Sequence, residues 1–374
     1  VLPALQSLDP YVRDLPYVYG KLFSVGPTEN DAFILGRDEE LRVLRERLTT
    51  VEHGALAVIG ERGSGRTSIL RTATGQLDPS RSLIWLETNF TLNSTDDVLS
   101  WLGGALGLKD PEADLITLEL RQGAPVVLLD GLERMIVRNR KGLDALALLA
   151  DLIVSTSAQV CWMVSVEKTI WNLLSGMSPL EDAFDTLVTL RPLDHDAIRS
   201  AVIRRHRLSG LEIAYSPPSG VDTRRVIEAL SRLSNEERYF QRLWMASHGN
   251  PRLALQLWQL CLEQDSHTAR QLNVQNPRGL LLQELNYLPE HLNPALSMAY
   301  HHGVVDRESL ECALGWTATE ARAALHALEL SGLLHPATRA HGEQGWELVP
   351  HAQGSVEDHL ISRGLKRPRG GGWS

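Results

Sequence analysis

The chain has 374 residues, 43% hydrophobic and 22% charged, the balance of an ordinary folded protein of two or three domains, which excludes a largely disordered chain. Acidic residues outnumber Lys and Arg by 46 to 37, a formal charge of −9, so no general affinity for nucleic acid or anionic membrane is expected. Three scattered cysteines, Cys161, Cys261 and Cys312, are too few for a disulfide framework or zinc cluster and fit a reducing, cytoplasmic compartment, and no apolar run reaches the roughly 18 residues of a membrane-spanning helix.

Residues 1–32, rich in Pro, Tyr and Leu with weak periodicity, read as an extended lead-in that packs against something. The start at Val1, without a signal-peptide pattern, suggests a processed chain or one piece of a longer polypeptide. Residues 38–48 have helical spacing, with Leu41, Leu44 and Leu48 on one face. A short apolar run at 55–59 precedes the glycine-rich stretch 60–65, and a helix is expected from 67 to about 75. Further strands are predicted at 83–86, 125–130, 159–165 and 186–190, with helices at 95–106, 111–123 and 143–155. Strands alternating with helices predict a parallel sheet with right-handed crossovers.

After Pro192 the pattern changes to helices only, at 194–208, 222–233, 235–247 and 251–264, with a loop at 209–220. A third unit begins near residue 272 and has three short helices, roughly 293–301, 306–312 and 319–331, then a hairpin through 346–349, which is the winged-helix order. The expected organisation is therefore a lead-in (1–32), a phosphate-loop nucleotide-binding domain (33–192), a lid (193–271), a winged helix (272–362) and a flexible tail (363–374). The fold class is an α/β P-loop NTPase domain with a parallel sheet, followed by an all-α lid and a winged-helix domain.

The chemistry concentrates at Gly60-Glu61-Arg62-Gly63-Ser64-Gly65-Arg66-Thr67, which matches G-x-x-x-x-G-K-[ST] except that Arg66 stands where Lys is expected. Gly60, Gly63, Ser64 and Gly65 let backbone N–H groups turn toward phosphate oxygens, and the helix that opens at Arg66, Thr67 and Ser68 adds positive potential. The Thr67 hydroxyl is suited to ligate Mg²⁺. Arginine keeps the charge of lysine and can grip phosphate bidentately, but it is longer and planar. Nucleotide binding is therefore expected to survive and hydrolysis to be weakened. Asp130, at the end of the buried run 126–130, is the second expected metal residue, acting through water. Glu133, three residues on, either orients an attacking water or is a surface glutamate of a capping turn. Arg66, Asp130 and Glu133 form the candidate catalytic set. Ser165 reads either as a γ-phosphate sensor or as a plain strand-end serine. Arg134, Arg138 and Arg140 are equally an arginine-finger set or a solvated basic turn.

Taken together, these motifs resemble the STAND-class signal-transducing NTPases, relatives of the AAA+ ATPases. The resemblance rests on Phe33-Ile34-Leu35-Gly36-Arg37-Asp38-Glu39-Glu40-Leu41, on the phosphate loop, on Asp130-Gly131-Leu132-Glu133, and on Gly249-Asn250-Pro251-Arg252-Leu253-Ala254-Leu255. It departs at Phe33, one residue early, at Arg66, at the extra Leu253, and in lacking an Asp-Glu pair after the third strand. The resemblance implies Gly36 and Arg37 near an adenine, Pro251 near base or ribose, and Arg252 either as a lid arginine sensing the terminal phosphate or as a solvated helix-start residue. It implies ATP or ADP with Mg²⁺, adenine being favoured because no Asn/Thr-Lys-x-Asp motif is present.

The function implied is an intracellular ATP-binding switch for signal transduction, coupling nucleotide state to movement of lid and winged helix and to a protein partner or effector domain. A nucleotide-dependent oligomer is compatible with it. The alternatives are a DNA-associated AAA+-like ATPase of origin-recognition or transposition type, and a catalytically degenerate scaffold. Residues 281–350 hold nine acidic and three basic side chains, and the helix at 318–330 has one Arg against two Glu. Phosphate contacts need Lys or Arg, so nucleic acid is disfavoured as a partner, and no membrane insertion is expected.

Overall fold

A computed structural model describes residues 15, 17–23, 26–28, 30–86, 92, 94–136, 140–175, 180–215, 234–264, 270–275, 285, 287–338, 344–349 and 352–366. The chain divides into two compact units, residues 27–191 and residues 1–26 with 192–374.

The 27–191 unit is built on five parallel strands in the order β2-β3-β4-β1-β5: β1 (Gly54–Gly60), β2 (Leu83–Leu86), β3 (Val126–Asp130), β4 (Cys161–Glu167) and β5 (Thr186–Leu190). Each predicted strand is present, shifted by at most two residues. The central strands are apolar on both faces because helices cover both. Ala55, Ala57, Ile59, Leu129, Trp162 and Val164 face one core, shared with α4 (Thr95–Leu106), α5 (Ala113–Gly123) and α6 (Arg140–Thr156). Leu56, Val58, Leu128 and Met163 face the other, under α2 (Asp38–Glu46) and α3 (Arg66–Thr74). The buried Trp162 indole N–H is satisfied by Thr156 Oγ1 at 2.8 Å. A short helix not expected from the sequence, α7 (Lys168–Leu174), follows β4 directly; the Glu167 carboxylate caps it by accepting from the Thr169 and Ile170 N–H groups.

In the other unit, α8 (His195–Arg207), α9 (Asn235–Ser247) and α10 (Pro251–Leu260) pack around Phe240 and Trp258, whose rings stack at 5.9 Å. The lead-in is not wholly extended: α1 (Tyr17–Leu22) puts Tyr19 and, just after it, Phe23 into this aromatic core, where the Trp258 indole N–H donates to Tyr19 Oη at 2.8 Å. The helices-only pattern after Pro192 also needs a correction. A small sheet, β6 (Glu212–Tyr215), β7 (Leu262–Gln264) and β8 (Gln271–Val274), stands beside the helices in the order β6-β8-β7. Leu272 and Val274 alternate inward with period two, a pattern too short to stand out in the sequence. The helix predicted at 222–233 lies outside the described residues.

The winged helix comprises α11 (Asn293–His302), α12 (Arg307–Leu314), α13 (Ala318–Leu330), the hairpin β9 (Leu334–Thr338) and β10 (Gln344–Leu348), and a closing helix α14 (Gln353–Ser362). Trp346 also bridges Val305, giving the hairpin a third short partner. Among the described residues, no helix is long and apolar enough to cross a membrane.

The turn into α10 shows why the Gly249-Asn250-Pro251 string has that composition. Gly249 sits at φ +72°, and a Cβ there would fall 2.4 Å from the Leu193 carbonyl oxygen. That oxygen accepts the Trp244 indole N–H at 3.0 Å. Asn250 caps the helix through the Leu253 N–H, and Pro251 takes its first turn. Gly249→Ala is expected to destabilise by more than the about 1–2 kcal/mol of left-handed strain alone, and Asn250→Ala by about 1 kcal/mol; urea unfolding followed by tryptophan fluorescence checks this ranking.

Candidate nucleotide site

The site is assembled where β1, β3 and β4 end. In the sheet Asp130 is level with Ser165, and Gly60 with Glu167, so the phosphate loop leaving β1 and the acidic turn leaving β3 meet across the end of β4. The loop closes on Gly65, at φ +98°, a left-handed residue at the N-cap of α3 with no side chain to cap the first-turn N–H groups. The Ser64 hydroxyl is buried and has no hydrogen-bond partner among the described residues. An orphaned hydroxyl beside a helix N-terminus fits an oxygen-rich anion, and the loop therefore suits a nucleotide phosphate.

Around this loop lie two acid-centred networks. The Thr67 hydroxyl donates to Asp130 Oδ2 at 2.7 Å, and the Ser165 hydroxyl to Oδ1 at 2.6 Å. Ser165 Oγ in turn accepts the Gly131 N–H at 2.9 Å. The structure thus brings together the two residues expected to hold Mg²⁺, and gives Ser165 a third role that neither sequence reading contained: it orients Asp130. The lateral register of two strands, which sequence does not display, is the signal that pairs them.

The second network is tighter. Arg66 Nη1 donates to Glu133 Oε2 at 3.0 Å and Nη2 to Oε1 at 2.8 Å, a two-pronged contact between side chains of residues only 9% and 6% exposed. Glu133 Oε2 also accepts the Glu167 N–H at 3.0 Å. Burial alone would push the Glu133 carboxyl up, but the Arg66 guanidinium outweighs it and holds that carboxyl below the usual carboxylate range. Burial likewise works against the Arg66 charge, and Glu133, with Glu167 and Asp130 behind it, overcomes the effect. Glu133 is therefore neither a surface glutamate nor a carboxylate open to water: Arg66 engages both its oxygens. Glu167, absent from the sequence-derived site, joins it through its backbone N–H.

The remaining candidates divide by unit. Arg37 is buried and reaches the loop, donating from Nη2 to the Ser64 carbonyl at 3.3 Å and from Nη1 to Glu40 at 3.1 Å. Gly36 is exposed before it, at φ +66°. Ser68 Oγ accepts the Thr28 N–H at 3.2 Å. Arg134 is exposed, whereas Arg138 and the Arg140 side chain lie outside the described residues. Pro251 and Arg252 belong to the other unit, where Arg252 pairs with Glu347 of the wing at 3.4 Å.

No family model matches the sequence, and no curated relative does. Solved structures do. They include the Aeropyrum pernix ORC2 protein in ADPNP–ADP complexes, at 13% identity over 92% of this chain and 98% of that one, TM-score 0.50. The Aeropyrum pernix ORC1 protein in complex with DNA matches at 15% identity over 92% and 96%, TM-score 0.45. The Thermotoga maritima RuvB Holliday junction branch migration motor matches at 16% over 89% and 96%, TM-score 0.41. The likeness to the ORC2 protein is one of fold: this chain has an α/β P-loop domain with a five-stranded parallel sheet, followed by a winged helix.

These likenesses correct one expectation. Nucleic acid was disfavoured as a partner on the acidic count of residues 281–350, yet the neighbours of this fold include an ORC1 protein bound to DNA. The physical fault lies in the count. Several of those acids already have partners inside the protein: Glu347 with Arg252, Glu290 with Arg363, Glu311 with Arg307, and Glu320 as a helix cap on the Thr317 N–H. A summed charge over a segment therefore says little about the face presented to a ligand.

The buried pair yields a stability prediction. Glu133→Ala, leaving Arg66 buried without its partner, is expected to lower unfolding free energy by about 3–5 kcal/mol, and the double change Arg66→Met with Glu133→Leu to recover most of it. The Glu133 pKa is depressed in the fold, so the pair's contribution is complete above the unfolded glutamate value of about 4.3 and is lost as pH falls through the lower folded value. Urea unfolding from pH 7 down to pH 3 should show a steeper acid loss for the wild type than for Glu133→Gln.

Proposed function

We propose that this chain is an ATP-binding molecular switch of the STAND type, with the nucleotide seated on residues 60–67. The observation that carries the reading is the phosphate loop itself: a left-handed Gly65 at the helix start, with no side chain to cap it, and a buried Ser64 hydroxyl without a partner among the described residues. Thr67 and Asp130 would hold Mg²⁺, which supplies charge neutralisation of the β- and γ-phosphates. The loop's backbone N–H groups would bind the phosphates, and Arg37, fixed to the Ser64 carbonyl, holds the loop's shape. Gly36 and Arg37 would lie toward the adenine.

Nucleotide state would then bias the positions of the lid (193–271) and the winged helix (272–362) and so expose or hide an interaction surface. Weak hydrolysis is part of this reading, because Glu133 is engaged by Arg66 rather than open to water. Duplex DNA is the first ligand to try on the winged helix, given the DNA complex of the similarly folded ORC1 protein.

Mg²⁺–ATP at about one hundred times its Kd should stabilise the chain by about 2.7 kcal/mol, read as a rise in Tm. Asp130→Asn should abolish the Mg²⁺ dependence of that rise. No shift at millimolar nucleotide would sink the switch and leave a nucleotide-free scaffold.

A further inference from the structure

Arg66 departs from the phosphate-loop pattern, and Glu133 engages both of its terminal nitrogens. The two features belong together. A lysine ammonium is a point charge and cannot fork; a guanidinium presents parallel N–H groups that match either a carboxylate or a phosphate. Arg66 is the first residue of α3, next to Gly65, so its side chain leaves the backbone inside the phosphate loop. Two of its five N–H donors, one on each terminal nitrogen, are thus already given to an internal anion. Three carboxylates, on Glu133, Glu167 and Asp130, act on this one guanidinium, so a polyphosphate entering the loop meets an arginine whose charge is already compensated.

We propose that Glu133 is an internal stand-in for phosphate: it holds Arg66 while the loop is free of nucleotide, and a polyphosphate bound at 60–67 takes Arg66 by exchange and releases Glu133. No covalent bond is made or broken; one charge-assisted pair replaces another. Released Glu133 keeps the Glu167 N–H as a partner, so its turn need not unfold. The exchange reaches beyond the loop, because Glu133 and α7 are joined through Glu167, whose N–H serves the former and whose carboxylate caps the latter. Glu133 is in this sense a positioning residue, acting on nucleotide through Arg66. The inference rests on the nucleotide-binding reading and adds a threshold to it: affinity is reduced by the fraction of molecules in which the internal pair is closed.

Isothermal titration of the full chain with Mg²⁺–ADP tests this. Glu133→Gln should bind about tenfold more tightly than wild type, the gain expected if about nine molecules in ten start with the pair closed. Glu61→Gln removes the same charge from the loop itself and should change affinity far less. A Glu133→Gln affinity no tighter than that of Glu61→Gln overturns the exchange, since a merely structural glutamate would give unchanged or weaker binding. A wild-type measurement stands apart from any folding defect. The guanidinium ¹⁵N signals lost in Arg66→Lys identify Arg66, and Mg²⁺–ADP should shift them as carboxylate gives way to phosphate. Signals unmoved at saturating nucleotide overturn the proposal even if binding is tight. Absence of Mg²⁺–ADP binding to wild type and variants alike is a different failure: it removes the nucleotide reading, and the exchange with it.

Discussion

The register of β1, β3 and β4 is the constraint on which the site depends. Parallel pairing sets Asp130 beside Ser165 and Glu167 beside Gly60. A slip of one residue would turn the Asp130, Ser165 or Glu167 side chain to the opposite face of the sheet. The register is held because both faces of these strands are buried: alternate residues of β1 enter two different cores, Ala57 and Ile59 in one, Leu56 and Val58 in the other. Apolar packing over the body of the sheet therefore fixes the polar atoms at its end to within hydrogen-bonding distance. The site inherits its precision from strands that carry none of its chemistry.

Much of this was legible in the amino-acid order. The central strands announced themselves by runs that are apolar nearly throughout, as 126–129 is, which is the mark of a strand covered on both sides. The phosphate loop was legible because glycine spacing is a local signal. What was not legible was lateral. Ser165 looked like a sensor or a bystander because nothing in its own neighbourhood points to Asp130, 35 residues away in sequence. Glu133 was left between two roles, and the structure gives it a third, because its partner Arg66 lies 67 residues upstream. The small sheet of β6, β7 and β8 escaped for a related reason: strands of three or four residues carry too few alternations for a period to show.

The winged helix shows the opposite failure, in which a global quantity was given a local meaning. Its acidic residues were counted as one field, although charges that face partners or cap helices are compensated where they stand. Glu320 caps the N-terminus of α13. Glu347 is joined to Arg252 of α10, so the charge counted on the wing belongs partly to the lid. Composition excludes classes of whole protein far better than it excludes partners of one face.

Arg66 and Glu133 raise a question that stability does not answer. A buried ion pair recovers little more than its own desolvation, and well-packed apolar side chains of similar volume would serve the fold as well or better. The rest of this α/β core is filled in just that way, with Leu, Ile, Val and Trp. The pair stands apart from it, with the guanidinium rooted in the phosphate loop and the carboxylate in the turn after β3. Packing gives no reason for a charge at either place. An anion that comes and goes does, because an arginine left buried without a counter-charge costs several kcal/mol in the interval. A carboxylate within reach makes the empty loop tolerable, and by the same contact makes the loop harder to fill. In the proposed exchange, the pairing that stabilises the nucleotide-free loop would by the same contact oppose nucleotide binding, and that opposition is what would separate a switch from a site that is simply occupied.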